Sequence, residues 1–180
     1  MKKEKIIESI KSSELKLEIW EIIHHFYIVG FILIIPVSLL GFHLFDIYNG
    51  KTSQLKEGEI WFYIIPPILS ILFYYYQKNR LKFKIVNTNL NRNEIASIIE
   101  KVGTELKWIP YIVNEKVIIA KTNPSFLSGS WGEKITILFD SNKVYINSIC
   151  DPDKRISISS MGRNKENMNK LAEEIKKASC

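Results

Sequence analysis

A chain of 180 residues, 46% hydrophobic, is long enough for one ordinary domain or for a small domain joined to membrane spans. The net charge of +6 is spread thinly. Residues 1–21 are balanced, 46–59 carry −1, 78–82 carry +3 and the remainder +4, so no block of charge reads as a nucleic-acid signature and no nucleic-acid partner is expected.

In chain order, residues 1–21 hold five lysines and five glutamates, with Ile6, Ile7, Ile10 and Leu17 near one helical face. This predicts a cytoplasmic amphipathic helix at the membrane interface, running straight into the next element. The local alternation Leu15, Leu17, Ile19 argues for a strand instead, the helix being the expectation because no Gly or Pro breaks it before the span. Residues 22–45 carry no formal charge and are long enough for a first span, and 60–77 for a second, a bilayer core needing about 20 helical residues. The first run is too long for a signal h-region and lacks a small-x-small cleavage site, which makes it an uncleaved anchor. Between them, 46–59 is a short loop with two lysines against the basic residues outside the spans. The positive-inside rule then puts both termini in the cytoplasm of a multi-pass cell-membrane protein.

Gly30, Pro36 and Gly41 in the first span mark a face for packing on the second, small residues letting helices approach closely. Pro66 and Pro67 kink the second span, and Trp61–Tyr63 and Tyr74–Tyr76 suit its two interfaces. All three histidines, His24, His25 and His43, lie in the first run. His24 and His43 are about 28 Å apart along a helix and cannot share a metal within one chain. Interfacial rings are expected, haem ligation between protomers being the competing reading. Neither metal nor cofactor is expected.

From residue 78 the pattern is that of a cytoplasmic α+β domain, 78–180. A strand at 82–86 precedes a helix over 91–102, with Asn91 and Glu94 spaced as a capping box and Gly103 as its stop. Strands follow at "ELKWIPYIV" and "KVIIAKT", then the hairpin "KITILFD"/"KVYINSI" around Asp140–Asn142, then "RISISS". A helix over 165–178 closes the chain with Met168, Leu171, Ala172 and Ile175 inward. The fold class is therefore a membrane α-helical hairpin of two transmembrane helices plus an α+β domain with an antiparallel sheet and two helices on one face. Cys150 and Cys180 fall in this cytoplasmic part and are expected as reduced thiols. Cys180 lacks a C-a-a-X context, so prenylation is not indicated.

Candidate sites follow from charge and loop chemistry. Lys78, Arg80, Lys82 and Lys84 stand beside the second span and could meet anionic lipid headgroups, or serve only to set topology. Arg155, Arg163 and Lys165 surround the start of the last helix, whose free amides favour an anion, ordinary capping by Ser160 or Asn164 being the alternative. "SFLSGSWGEK" is a candidate ligand loop through Trp131 and Glu133. It fits neither the phosphate-binding loop nor the nucleophile elbow, and a loop with Trp131 tucked onto the sheet competes with that reading. Asp151 and Asp153 are too few for a calcium loop. With histidine absent from the tail, no His-based triad can form there, and no enzyme is expected.

With the stretch "EKITILFDSNKVYINSI" and the helix after "SMGRNKENMNKL" in place, the layout resembles that of small bacterial membrane proteins having two N-terminal spans and a cytoplasmic tail. Those two segments are the residues behind a further similarity, in layout, to bacterial membrane proteins whose two spans precede a PH-like domain ending in a helix, but the helix at 91–102 departs from that order. The resemblance covers about a quarter of the chain and carries over no functional residue. The expected function is a membrane-anchored binding or adaptor module, with lipid headgroups or a cytoplasmic protein as partner. The alternatives are an oligomeric transport or channel component and, further off, an enzyme binding substrate between Trp131 and Arg163.

Overall fold

The computed structural model describes residues 2–52, 54–123 and 130–179. These form two compact units, Met1–His25 with Arg80–Cys180, and Phe26–Asn79. The first contains α1 (Lys3–Ser12), α2 (Ile19–His25), β1 (Lys84–Asn87), α5 (Arg92–Glu105), β2 (Trp108–Val113), β3 (Val117–Thr122), β4 (Glu133–Asp140), β5 (Lys143–Cys150) and α6 (Arg163–Ala178). The second is built on α3 (Tyr27–Tyr48) and α4 (Ile60–Arg80).

The five strands make one antiparallel sheet in the order β1-β5-β4-β3-β2. Alternation along β3, β4 and β5 sends residues to two different cores. Ile118, Ala120, Ile135, Ile137, Val144 and Ile146 face α5 and α6, which supply Ile95, Ile99, Val102, Leu171, Ala172 and Ile175. Val117, Ile119, Leu138, Tyr145 and Ile149 face the other way. That second face is covered by the N-terminal segment, through Ile6 of α1 and through Leu15 and Leu17 beyond it.

The N-terminal segment therefore belongs to the domain and is not an independent interfacial helix. Ser13, in the left-handed region at φ 55°, ends α1. Residues 13–15 then run extended beside residues 81–83, just ahead of β1, Leu15 N donating to Leu81 O at 2.8 Å and Phe83 N to Ser13 O at 3.0 Å. Both sequence signals were real, helix first and alternation after it, and burial of Leu15 and Leu17 on a two-faced sheet decides between them. Helices accordingly cover both faces, where one was expected.

The capping box at Asn91 forms, its side chain accepting from Asn93 N and Glu94 N while Glu94 accepts from Asn91 N. Gly103 does not stop α5, which continues to Glu105. It lies instead against Trp108, where an added Cβ would meet the indole at 3.5 Å. The expected strand "RISISS" does not form, residues 155–160 running without regular structure between β5 and α6. Pro110 sits in β2, the sheet edge, next to a register shift between Pro110 and Ile112.

In the other unit, α3 and α4 are long and apolar enough to cross a membrane. They run antiparallel within it: Ser70 Oγ donates to Val29 O at 2.9 Å, and the rings of Phe26 and Tyr74 lie 5.5 Å apart. The first helix begins at Tyr27, after a break at Phe26, so 22–25 of the expected span belong to the other unit. Gly30 and Gly41 do not mark the contact with α4. Both are exposed, and a Cβ on either would meet nothing within 4 Å. Pro36, inside α3, is half-buried.

Candidate functional site

Chemistry-bearing side chains gather at one end of the sheet, where β3 and β5 finish, β4 begins and the loop 151–162 crosses over. Glu133, first residue of β4, is 0% exposed. Thr122 Oγ1 donates to its Oε2 and Ser130 Oγ to its Oε1, while Arg163 Nη2 lies 3.5 Å from Oε2. The Glu133 amide donates back to Thr122 Oγ1 at 2.8 Å. A buried carboxylate is tolerable only with such partners, and these tie the ends of β3 and β4 to the start of α6.

Gly132 makes this crossing possible. Its φ is +123°, and a Cβ there would meet Thr122 O at 2.5 Å and Lys154 Nζ at 2.9 Å. Gly132→Ala is expected to destabilise the unit by about 1–3 kcal/mol, through a strained backbone and a displaced Lys154, as read by thermal unfolding of the purified chain.

Beside this network, Lys121 Nζ bridges Asp151 at 3.2 Å and Asp153 at 2.7 Å. The hydrogen bond from Lys121 holds the Asp153 carboxyl below its usual range, against the opposing effect of burial. Burial pulls Lys121 down, but Asp153 and Asp151 outweigh it and its ammonium is held above the usual range. The Asp153 contribution is therefore complete above the ordinary carboxylate pKa of about 3.9 and lost as pH falls through the lowered value. The Lys121 contribution is complete below its ordinary pKa and lost as pH rises through the raised one. Asp153 is half exposed and screened, so Asp153→Asn should flatten the acid limb of a melting-temperature profile by less than about 1 kcal/mol.

Arg155 stacks over Trp131, 4.8 Å from guanidinium to ring, and Trp131 N donates to Ser157 Oγ at 3.1 Å. Trp131 is 46% exposed, not tucked onto the sheet. Arg80 reaches into the same end, donating to Ile158 O at 2.6 Å and to Cys150 Sγ at 3.2 Å. His24 Nδ1 donates to Pro152 O at 2.7 Å. Behind the loop a polar seam joins α6 to the sheet: Trp108 Nε1 donates to Asn167 Oδ1, Asn167 Nδ2 to Ser148 Oγ, and Ser148 Oγ to Asn164 Oδ1.

Trp131, Glu133, Arg155 and Arg163 are thus brought together at one end of the sheet. Glu133 and Arg163 satisfy each other inside the unit. The first amides of α6 turn inward as well, Arg163 N to Ser160 O at 3.0 Å and Asn164 N to Ser160 Oγ at 3.1 Å, so these two amides are occupied within the unit. The N-cap itself is Gly162. Lys84 is elsewhere, bonded to Asn169, while Lys82 and Lys165 are exposed. Lys78 lies in the other unit and is exposed. Asp151 and Asp153 form a turn, and no group of three metal-ligating side chains occurs among the described residues. Cys150 is a buried free thiol. Residues 125–129 of the loop and Cys180 lie outside the described residues.

The Asn164 and Asn167 pair was missed in the sequence, although both share the helical stripe of Leu171 and Ile175 and so were bound to be buried. In the other unit, His43 Nε2 meets Glu59 Oε1 at 2.6 Å, at a cleft of about 740 Å³ that also includes Asp46, Lys56 and Glu57. The Lys56 amide, followed by His43, holds the Glu59 carboxyl below its usual range. No family model, no curated protein and no solved structure matches the chain.

Proposed function

We propose that the chain is an integral protein of the cell membrane, held by a helical hairpin, whose α+β unit works at the cytoplasmic face as a binding or adaptor module. The observation that carries this is the docking of the N-terminal segment into the sheet domain. The chain leaves that unit after His25 and rejoins it at Arg80. Whatever lies between must return to the side it left, which a two-helix hairpin does. Helices of 22 and 21 residues measure about 33 and 31 Å, enough for a hydrocarbon core of about 30 Å. No residue of α3 is buried, so lipid is the natural solvent for its all-round apolar surface. The connecting loop holds Lys51 and Lys56 where the flanking segments are richer in lysine and arginine, which favours a cytoplasmic unit.

Binding without catalysis is favoured because the fully buried Glu133 has donors on both oxygens and serves to brace the fold. The exposed cations Lys82, Arg155 and Lys165 suit anionic headgroups or an acidic protein partner. The test is alkaline carbonate extraction of membranes containing the full chain. Retention in the membrane fraction is expected, and release into the supernatant would end the proposal. A second reading, an oligomeric transport or channel component, is favoured by the open Gly30 and Gly41 face of α3. Disulfide cross-linking of Gly30→Cys chains in membranes would support it.

A further inference from the structure

Large apolar side chains are exposed at the same end of the sheet unit that carries the Glu133 network. Trp131 is 46% exposed, Ile156 42%, Ile158 41% and Met161 76%, with Ile19 at 77% and Trp20 at 72%. They are held by fixed partners. Trp131 is pinned by Ser157 Oγ and covered on one face by Arg155. The loop backbone is clamped at Ile158 O by Arg80 and at Pro152 O by His24, whose ring lies 5.9 Å from that of Trp20.

Those two clamps decide what the rim faces. His24 is one residue from the point where the chain leaves this unit for α3, and Arg80 is the last residue of α4. Both connections to the apolar helices therefore sit within one side chain's reach of the loop. At the opposite end of the sheet the turn around Asn142 is itself polar, with Asp140, Ser141 and Lys143, and the exposed apolar side chains near it are Ile7 and Val113, with no tryptophan among them. Tryptophan, isoleucine and methionine tips beside an arginine are the composition that partitions into the headgroup layer, where rings and alkyl groups reach the acyl boundary and the guanidinium stays among phosphates.

We infer that the rim formed by Ile19, Trp20, Trp131, Ile156, Ile158 and Met161 docks the sheet unit onto the phospholipid bilayer that its own helices cross. The ligand of this face is the headgroup layer, with Arg155 as its phosphate contact. The inference rests on the membrane reading above and adds to it an orientation, the rim down and the Asn142 turn away from the lipid.

The test uses the full chain with Cys180→Ser, the buried Cys150 being retained, reconstituted in vesicles of equal parts phosphatidylcholine and phosphatidylglycerol. Nitroxide labels are placed one at a time by Ile156→Cys, Ile158→Cys, Met161→Cys and, as control, Asn142→Cys. Their collision rates with oxygen and with a water-soluble nickel chelate are then measured. High oxygen and low nickel accessibility at the three rim sites, with the reverse at Asn142, is the expected result. Rim labels as open to nickel as the Asn142 label would overturn the inference. Labels shielded from both reagents would overturn it in favour of a protein partner. Carbonate extraction of the same vesicles separates the two levels, since a chain that is washed off removes the membrane reading itself. A chain that stays while its rim labels report water removes only the docking.

Discussion

Leu17→Ala lowers the unfolding free energy of the sheet unit by about 2–5 kcal/mol, and Leu15→Ala does the same, the range for truncating a buried leucine. Both side chains are buried, at 5% and 3% exposure, in the core made with Phe83, Val117, Ile119, Leu138, Tyr145 and Ile149. Truncation removes apolar surface from that core and leaves a cavity under a segment otherwise held by Ile6, a few hydrogen bonds and the Lys5–Glu18 and Lys134–Glu21 pairs. Ile7 in α1 is 59% exposed, so Ile7→Ala should stay within about 0.5 kcal/mol. Denaturant titration of the purified full chain in mild detergent, followed by tryptophan fluorescence, compares the three. If Leu17→Ala were no costlier than Ile7→Ala, the N-terminal segment would not be part of the fold.

Glu133→Ala is the second large loss, about 3–5 kcal/mol, because it strips the carboxylate from a buried network and leaves its partners facing each other. Thr122 and Ser130 lose their acceptor, and Arg163 loses its counter-charge while only 27% exposed. Glu133→Gln should cost less, since the carboxamide oxygen still accepts one hydroxyl, but its NH2 then meets a second donor. Adding Arg163→Gln to Glu133→Gln should recover part of the loss if the ion pair matters, because no charge is then left uncompensated. Thermal melts of the wild-type chain, Glu133→Gln, Arg163→Gln and the double variant give the coupling directly. A cost for Glu133→Ala in the range of ordinary surface changes would mean that water reaches this site.

Much of the sheet was legible because its strands alternate and its turns use the expected residues. The β4–β5 hairpin, the Asn91 capping box and the inward face of α6 all follow from local chemistry. What was not legible depended on distant parts of the chain. Whether residues 13–17 continue a helix or run extended is settled by a sheet face formed more than a hundred residues later. "RISISS" has a strand's alternation, but its residues are held instead by side chains far along the chain, Arg80 on Ile158 O and Trp131 against Arg155. Gly103 reads as a stop although the Trp108 ring it packs against is close in sequence, because a glycine serves a helix end and a tight contact alike. Candidate cations were recognisable as such, yet the sequence could not divide those consumed inside the fold, Arg80, Lys84 and Arg163, from those left outside, Lys82, Arg155 and Lys165. Gly30 and Gly41 share a helical face, as their spacing requires, but spacing does not say which neighbour a face meets.

The hairpin topology is tested most directly by labelling single cysteines with a membrane-impermeant maleimide in intact cells, then again after permeabilisation. Glu57→Cys lies in the connection between the two apolar helices and Asn142→Cys in the β4–β5 turn, both exposed, in a chain carrying Cys180→Ser. Glu57→Cys should label in intact cells and Asn142→Cys only after permeabilisation. Labelling of Asn142→Cys in intact cells, or labelling of Glu57→Cys only after permeabilisation, would contradict a hairpin with its sheet unit in the cytoplasm.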